Sequence, residues 1–332
     1  MIETPVTRTV SAFTGVVIVA SGLIAMHLLS EPSSQRALAA AMAADLAAGR
    51  SSAPRVLEEV GAVPDELRES SGLAISRTQP GIFWSHNDSG DGPSLYAIDI
   101  SGKLLGVFHL SGAAARDWED ISSGPCPAGM SPPAPAGKSG CLFIADTGDN
   151  DQVRPDVSIY IVVEPRVGEA GSSVAARTVR YRYPSGPTDA EALAVKPNGD
   201  LTIVSKGRSG TINFYNIPAA SVTKAMASGE IITATFAGNT GIRPDQRIGR
   251  LVTAAAVSPD GMTLAVRTYY EVYFFKLVTR RGQIQWEDIG ESCALGDAEP
   301  QGEAIDYLDS NTLILTSERA RGRPGSIHRL QC

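Results

Sequence analysis

The chain has 332 residues, of which 43% are hydrophobic and 20% charged, and its formal net charge is −7. A chain of this length can bury a large core, and its 33 glycines and 21 prolines suit many short strands joined by turns. The acidic balance argues against the phosphate-neutralising surface that nucleic-acid binding requires, so we predict no nucleic-acid partner.

The N-terminal region contains an uncharged apolar run of 20 residues from Val10 to Leu29, which is about the length that a helix needs to span a bilayer. A cleaved signal peptide has a shorter apolar region followed at once by a small-residue cleavage site. We therefore favour an uncleaved signal-anchor helix within residues 1–32 over a cleaved signal peptide, which would give a secreted protein, and over a buried soluble helix. An alanine-rich linker (33–53) then leads to one domain over residues 54–332.

The four cysteines support export and place this domain outside the cytoplasm. Cys126 and Cys141 bracket a loop rich in Pro, Gly and Ser, so we predict a disulfide between them, which would stabilise the fold by roughly 3 kcal/mol. Cys293 and Cys332 would then form a second pair. Four free thiols in a cytoplasmic protein are the alternative. The sequence has no Cys-x-x-Cys motif and gives no support for zinc or thioredoxin-type chemistry.

Beyond the linker, short runs of Val, Ile, Leu, Tyr and Phe alternate with turn residues, which is typical of strands. The best helical candidate is Ala219 to Gly229. Five stretches share one form, in which a small or acidic pair precedes an apolar strand, a turn and a second apolar strand. Aligned on residues 71, 119, 191, 255 and 303, they are 48, 72, 64 and 48 residues apart. A third strand follows each second strand and a fourth often follows that, which is the make-up of a propeller blade.

The last unit ends at its third strand, Ser326 to Leu330, and the segment Arg55 to Val60 could supply the missing fourth strand. Such closure would remove two exposed sheet edges. We therefore predict an all-β fold, a β-propeller of five blades preceded by a transmembrane helix. Six blades are the main alternative, and a β-sandwich or jelly roll is the other.

In a propeller, the first strand of each blade starts at the face where the second strand ends. Polar residues at these places should line one opening on the axis. Several carboxylates in one funnel repel each other unless a cation or a basic residue offsets them. An oxygen-rich set with few His and no Cys suits Ca²⁺, with Mg²⁺ as the alternative. The predicted metal ligands are Asp117, Glu119, Asp120, Asp146, Glu191 and Glu303.

A second set of polar residues, which mostly follows the second strands, is predicted to bind the ligand. Its basic members could pair with the acids and leave no metal site, or could hold an anionic substrate beside a metal. Structural ion pairs and turn-forming Asp and Asn are the alternative explanation of the set. The predicted ligand-binding residues are Asn87, Asp88, Asp149, Asn150, Lys206, Arg267, Glu318 and Arg319.

Three local motifs need separate interpretation. The stretch from His86 to Gly92 resembles the first half of a calcium loop, but an EF-hand would need Glu where Ile98 stands. A cation site of another type or an Asx-rich turn remains, and the turn is favoured. The denser cluster from Asp146 to Asp151 falls at the corresponding place and is interpreted as functional. Trp286-Glu287-Asp288-Ile289 repeats the letters of Asp117-Trp118-Glu119-Asp120-Ile121 but lacks the following turn and strand, so we predict an outer strand there.

Nucleophilic catalysis has little support, because the sequence lacks a Gly-x-Ser-x-Gly elbow, a Walker loop and a dinucleotide fingerprint. Of the four histidines, His86 alone falls at the predicted functional face, and a lone histidine in a turn is more often a hydrogen-bonding residue than a catalyst. If the protein is an enzyme, the predicted catalytic residues are Glu119, Glu191 and His86.

Five segments of the chain carry a resemblance to known proteins: Glu69-Ser70-Ser71-Gly72-Leu73, Trp84-Ser85-His86-Asn87-Asp88-Ser89-Gly90, Asp117-Trp118-Glu119-Asp120-Ile121, Asp146-Thr147-Gly148-Asp149-Asn150 and Asp189-Ala190-Glu191-Ala192-Leu193. Together they resemble a family of uncharacterised bacterial exported β-propeller proteins. More distantly they are similar to SdiA-regulated, phytase-like and gluconolactonase-type propellers, in which acidic residues around the axis often hold calcium. The resemblance covers residues 65 to 320 in pattern, and the fourth unit departs from it, with Thr253-Ala254-Ala255-Ala256 where an acid is expected.

The leading hypothesis is an exported propeller, anchored in the membrane by a single span, that binds a polar small molecule or polymer together with Ca²⁺ at its acidic face. The competing hypothesis is a metal-dependent hydrolase of a phosphate ester, lactone or similar bond. In that case the cation would polarise substrate or water, and Glu119 or Glu191 would act as the base. A protein-interaction scaffold without catalysis is the third possibility.

Overall fold

The computed structural model describes residues 55–88, 90–130, 140–280 and 283–332, together with Ala40 and Ser51–Ser52. Strands account for most of this part, with short 3₁₀ helices at Val167–Glu169 and Gln246–Ile248 and one α-helix, α1 (Ala219–Ser228). The strands in chain order are β1 (Ser51–Ser52), β2 (Val56–Ala62), β3 (Ser70–Ile75), β4 (Phe83–Asn87), β5 (Ser94–Ile98), β6 (Leu104–Ser111), β7 (Trp118–Pro125), β8 (Gly140–Asp146), β9 (Val157–Val163), β10 (Ser173–Ala175), β11 (Arg177–Arg182), β12 (Ala190–Val195), β13 (Leu201–Ser205), β14 (Asn213–Ile217), β15 (Ile232–Thr233), β16 (Thr235–Asn239), β17 (Val252–Val257), β18 (Thr263–Thr268), β19 (Glu271–Arg280), β20 (Gln283–Ala294), β21 (Gln301–Tyr307), β22 (Thr312–Glu318) and β23 (Ser326–Gln331).

The described strands form five sheets, which are the blades of a propeller. Their innermost strands β3, β7, β12, β17 and β21 contact each other in that cyclic order, and β21 returns to β3. The five-bladed prediction is therefore confirmed. From the axis outwards, the blades are blade 1 (β3-β4-β5-β6-β10), blade 2 (β7-β8-β9-β11-β15), blade 3 (β12-β13-β14-β16), blade 4 (β17-β18-β19-β20-β1) and blade 5 (β21-β22-β23-β2).

The ring closes where the sequence predicts. Strand β2 pairs antiparallel with β23, with Glu58 opposite Arg329 and Ala62 opposite Ser326. The first full strand of the chain thus supplies the outermost strand of the last blade. This pairing removes the free edge that blade 5 would otherwise present at β23.

Three outer edges are covered by short parallel strands that the sequence does not predict. Strand β1, which precedes β2 of blade 5 in the chain, pairs with β20 of blade 4. Between its third and fourth strands, blade 2 sends β10 to pair with β6 of blade 1. Blade 3 sends β15, from the corresponding connection, to pair with β11 of blade 2. Each of these strands joins neighbouring blades and occupies an edge that could otherwise pair with another chain.

The core lies between the blades. Five hydrophobic clusters are found, one at each interface between neighbouring blades. Trp84 of blade 1 and Trp118 of blade 2, for example, belong to one cluster and are fully buried. Inner strands such as β12 are buried on both faces and therefore read as continuous apolar runs, whereas the outer strand β11 alternates between exposed and buried residues.

Both predicted disulfides are present. Cys126–Cys141 joins the end of β7 to the start of β8, and Cys293–Cys332 joins β20 of blade 4 to the residue that follows β23 of blade 5. All four cysteines are thus paired. Two disulfides in one chain indicate an extracytoplasmic location, because intracellular reductants keep most cytosolic thiols free.

Two further predictions can be compared with the fold. Helix α1 matches the predicted helix and ends at Gly229, whose positive φ of 71° lets its N–H reach the carbonyl of Ala225. Strand β20 contains Trp286 and is the fourth strand of blade 4, so the outer-strand prediction is confirmed. The predicted anchor within residues 1–32 lies outside the described residues, among which no helix is long and apolar enough to span a membrane.

Candidate functional site

A β-bulge occurs at the same place in all five innermost strands. In each blade one residue near the start of the inner strand has no partner on the second strand. Bulges re-aim side chains and are frequent beside binding sites. These five residues are polar and at most 5% exposed, and we call them the bulge ring: Ser71, Glu119, Glu191, Thr253 and Glu303.

The pairing register corrects the sequence alignment of the fourth unit. Val252 pairs with Thr268 and Ala254 with Arg267, so the bulged residue is Thr253. The alignment on residue 255 is wrong by two positions. That alignment was based on the apolar run of alanines, whereas the position of the bulge depends on how β17 pairs with β18.

A second set of polar residues follows the second strands. In every blade, the residue before the bulge pairs with a residue at or near the end of the second strand. The residue that follows this partner in the chain belongs to the second set, which we call the rim ring. We use the name acidic well for the bulge ring and the rim ring together with Asp117 and Asp189. The rim ring consists of Asp88, Thr147, Lys206, Tyr269 and Glu318.

Three carboxylates of the well converge. One ligand oxygen from each of Asp88, Asp117 and Glu119 lies within 4.8 Å of the other two. A methyl group on Gly148 would overlap the carboxylates of Glu119 and Asp117. Glycine at this position therefore lets both acids lie against the loop that follows β8.

Lys206 supplies a positive charge inside the well. Its Nζ lies 2.5 Å from Oε1 of Glu191, and both side chains are buried. Burial opposes the charge of this ammonium group, but the charges of Glu191 and Glu119 and the phenol of Tyr269 outweigh that effect and raise the pKa of Lys206 well above its usual range. Lys206 therefore remains protonated and offsets part of the acidic charge.

Two carboxyl groups of the well are held partly neutral near pH 7. Burial raises the pKa of Asp88 to about 8, and the charges of Asp117 and Glu191 add to this effect. Burial likewise raises the pKa of Glu303 to about 8, although the positive charge of Lys206 opposes the shift. Near pH 7, Asp88 and Glu303 therefore lose their protons readily only if a cation binds in place of the proton.

The same physical causes act on two further acids. Burial raises the pKa of Glu119 well above its usual range, and the charges of Glu191 and Asp88 increase the shift. Burial also raises the pKa of Glu318, followed by the charge of Glu303. The acids of the well therefore share one electrostatic environment, and if all of them were ionised they would carry more negative charge than Lys206 can balance.

Tyr269 and Thr253 belong to the well but were missed in the sequence. Tyr269 follows β18 directly, as Lys206 follows β13. Burial raises its pKa well above the usual range, and the charge of Glu303 adds to this effect, so the phenol keeps its proton. The position after the second strand could have identified it, but only charged or Asn/Asp side chains were considered there.

Asp120 follows Glu119 directly in the chain but has different surroundings. Its carboxylate accepts the backbone N–H groups of Ile121 at 2.8 Å, Leu193 at 2.9 Å and Ala255 at 3.3 Å. These donors belong to the inner strands of blades 2, 3 and 4. Asp120 therefore lies outside the converging carboxylates and joins three inner strands near the axis.

The predicted cluster after β8 folds onto itself. Asp146 pairs with Arg154 at 2.9 Å, and Arg154 also donates to the carbonyl of Gly148 at 2.7 Å. Asp149 accepts the backbone N–H of Arg154 at 2.9 Å, while Asn150 is exposed. The cluster therefore fixes the loop that places Gly148 against the acids, and its own acids have structural partners.

His86 and Asn87 also have structural partners. Nδ1 of His86 donates to the carbonyl of Asn87 at 3.0 Å, and its ring packs edge-on against Trp118 with 5.5 Å between centroids. Burial lowers the pKa of His86 to about 4, so the ring is neutral. The amide of Asn87 donates to Asp91 at 2.7 Å. Both residues shape the turn that presents Asp88.

The two predicted arginines are engaged outside the well. Arg267 is fully buried, pairs with Glu299 and donates to the carbonyl of Ala304 at 2.7 Å. Arg319 is 45% exposed at its side chain and pairs with the exposed Asp65. Neither guanidinium therefore neutralises the carboxylates that converge near the axis.

Comparison with known proteins finds distant likenesses to solved structures. No protein-family model and no curated protein matches the chain. Among solved structures, the PQQ-bound aldose sugar dehydrogenase from Streptomyces coelicolor is similar, with 11% identity, a TM-score of 0.45 and coverage of 84% of this chain and 98% of that chain. A luciferin-regenerating enzyme has 10% identity, a TM-score of 0.44 and coverage of 84% and 96%. Both are β-propeller enzymes, and at these identities the likeness carries no argument about function.

Proposed function

We propose that this extracytoplasmic propeller binds a divalent cation, Ca²⁺ in the first instance, through Asp88, Asp117 and Glu119, and binds a polar ligand at the same site. The convergence of these three carboxylates carries the proposal. Each added negative charge raises the electrostatic energy of a buried acidic cluster, and a divalent cation lowers it. Ca²⁺ takes six to eight oxygen ligands, so three carboxylates leave coordination positions for a ligand.

The surroundings of the trio support a hard cation. The described residues of the well offer carboxylate, hydroxyl and phenol oxygens, and the converging group of potential ligand atoms contains no histidine. Oxygen ligands of this kind suit Ca²⁺ or Mg²⁺ better than zinc or copper. Ca²⁺ is the first choice because it accepts irregular geometry, whereas Mg²⁺ demands a near-ideal octahedron.

Calcium titration of the chelator-treated full-length protein tests the proposal. We expect binding in calorimetry and a higher melting temperature, with stabilisation of about 2.7 kcal/mol when Ca²⁺ is at 100 times its Kd. Asp117→Asn should remove both effects. Asp260→Asn, in the turn between β17 and β18 at the other face, is the matched control and should keep them. Identical behaviour of the two variants, or no response of the native protein to Ca²⁺ or Mg²⁺, would refute the cation site.

The membrane anchor is part of the proposal. The apolar run from Val10 to Leu29 would tether the propeller outside the cytoplasm. Fractionation of cells that express the chain with and without residues 1–32 tests this. Membrane association that does not depend on these residues would refute the anchor.

Metal-assisted hydrolysis is the second candidate, and the buried contact between Lys206 and Glu191 favours it. A bound cation would polarise substrate or water, and Glu119 or Glu191 could take a proton. A screen of phosphate esters, lactones and carboxylic esters, with and without chelator, tests this activity. We expect Glu119→Gln and Glu191→Gln each to abolish turnover in a folded protein. Turnover that survives in both variants would exclude this mechanism.

A further inference from the structure

The hydrogen-bond donors of the acidic well are grouped on two of its blades. Lys206 on blade 3, and Thr253 and Tyr269 on blade 4, can donate, and we call these three residues the donor side. Asp88, Asp117 and Glu119 lie on blades 1 and 2 and, once ionised, can only accept. A ligand at the axis would therefore meet the three converging carboxylates on blades 1 and 2 and the three donors on blades 3 and 4, beside the further acids Glu191, Glu303 and Glu318.

Thr253 provides independent evidence that the donor side binds a ligand. It is 1% exposed, and its Oγ1 has no hydrogen-bond partner within the part of the chain that the structure describes. A buried hydroxyl without a partner is unfavourable for folding. Ser71, the corresponding residue of blade 1, donates to the carbonyl of Glu119 at 2.8 Å. Thr253 thus keeps an unused donor in the ring that otherwise carries Ser71 and three glutamates.

Lys206 and Tyr269 complete the donor side. The ammonium group of Lys206 has three N–H donors, and the contact with Glu191 at 2.5 Å uses one of them. Tyr269 follows β18 directly, at the position that Lys206 occupies after β13. Burial raises the pKa of its phenol well above the usual range, so the phenol keeps its proton and can donate from the rim ring.

We infer that the ligand of the acidic well carries an oxyanion, one oxygen of which coordinates the cation while the others accept hydrogen bonds from Lys206, Tyr269 and Thr253. This inference rests on the proposed cation site. A cation on one side and an ammonium group on the other attract a negative group between them. A positively charged ligand would be repelled by both. Carboxylates and phosphates share the required chemistry, and experiment can distinguish them.

Titration of the full-length protein with three phenyl probes tests the inference. Phenyl phosphate, benzoate and benzyl alcohol carry a phosphate, a carboxylate and a neutral hydroxyl on the same ring. With Ca²⁺ bound, we expect at least one anion to bind in calorimetry, roughly tenfold or more tightly than benzyl alcohol and than the same anion with chelator present. The anion that binds more tightly identifies the oxyanion class.

Matched variants connect the binding to the donor side. Thr253→Val and Tyr269→Phe should each weaken the anion roughly tenfold and leave Ca²⁺ affinity unchanged. The controls make the same exchanges elsewhere: Thr202→Val, where the hydroxyl contacts Asn216 at 3.2 Å, and Tyr307→Phe on the inner strand of blade 5. Both controls should leave anion and Ca²⁺ binding unchanged.

The outcomes separate this inference from the proposed function. If Ca²⁺ binds but neither anion binds, or if benzyl alcohol binds as tightly as the anions, the oxyanion inference is wrong and the cation site stands. Anion binding that is unaffected by both Thr253→Val and Tyr269→Phe also overturns the inference. If Ca²⁺ does not bind at all, the proposed function fails and the inference fails with it.

Discussion

Two kinds of buried acid occur in this propeller. Glu271 and Glu299 each pair with a buried arginine, Arg250 and Arg267. Asp88, Glu119 and Glu303 of the well form no ion pair with an arginine among the described residues, and Lys206 is the positive charge that acts on all three. The first kind is neutralised by the protein itself, and Arg267 also joins blade 4 to blade 5 through the carbonyls of Ala304 and Thr316. The second kind carries surplus negative charge that the fold leaves for a proton or a cation, and this surplus distinguishes a binding site from a structural ion pair.

Breaking a structural pair should have the largest effect on stability. Arg267→Met leaves the buried Glu299 without its partner and removes hydrogen bonds to the carbonyls of Ala304 and Thr316. We expect the free energy of unfolding to fall by about 3–5 kcal/mol in urea denaturation. Arg319→Met, at the exposed pair with Asp65, should cost less than about 1 kcal/mol. Equal losses in the two variants would contradict the comparison.

Crowding the well should affect cation binding more than folding. In Gly148→Ala the new methyl group meets the carboxylate ends of Asp117 and Glu119, which are flexible enough to move away. Stability in chelator should change little, whereas the calcium stabilisation of about 2.7 kcal/mol at 100 times Kd should be lost. Gly92→Ala, where a methyl group meets open space, should keep it. Full calcium stabilisation in Gly148→Ala would place the cation elsewhere.

The excess of acids in the well also predicts that the free energy of unfolding depends on pH. The pKa of Glu303 is about 8 in the folded protein and 4.5 ordinarily, so between these pH values the folded state binds more protons than the unfolded state. The free energy of unfolding in chelator should therefore fall as pH rises from about 4.5 to about 8. Glu303→Gln should flatten this decline in urea denaturation. Glu58→Gln, at an exposed position on β2, should not. Parallel pH profiles for all three proteins would rule out this contribution.

The smallest expected effect on stability comes from the hydroxyl of Thr253, which has no hydrogen-bond partner among the described residues. Thr253→Val removes a buried group without a partner and should raise the free energy of unfolding by up to about 1 kcal/mol. Thr202→Val breaks contacts with Asn216 and Trp286 and should lower it by about 1 kcal/mol. Thermal and urea unfolding of the two variants provides the comparison. A loss of stability in Thr253→Val would show that its hydroxyl has a structural role.

Much of the fold could be predicted because its signals are local. Alternating apolar strands and turn residues identify the units, and the incomplete last unit predicts that β2 closes the ring. The loop rich in Pro, Gly and Ser between Cys126 and Cys141 predicts a disulfide, which the structure contains. These features depend on residues that are close in sequence or on a simple count of strands.

Other features depend on pairing between distant segments. Strands β10 and β15 contain three and two residues and carry no pattern of their own, so only the neighbouring blade decides that they pair. The bulge at Thr253 is likewise set by how β17 pairs with β18. The same register identifies Tyr269, directly after β18, as the rim residue of blade 4.

The sequence by itself placed carboxylates at the start of three inner strands and predicted that the chain closes into a propeller, with five blades favoured over six. It could not distinguish Glu119 from Asp120, which are adjacent, equally acidic and both buried. The bulge in β7 decides their roles, because it turns Glu119 towards the well and leaves Asp120 to accept hydrogen bonds from blades 3 and 4. A bulge is a property of two paired strands, so only the tertiary structure determines which acid faces the ligand.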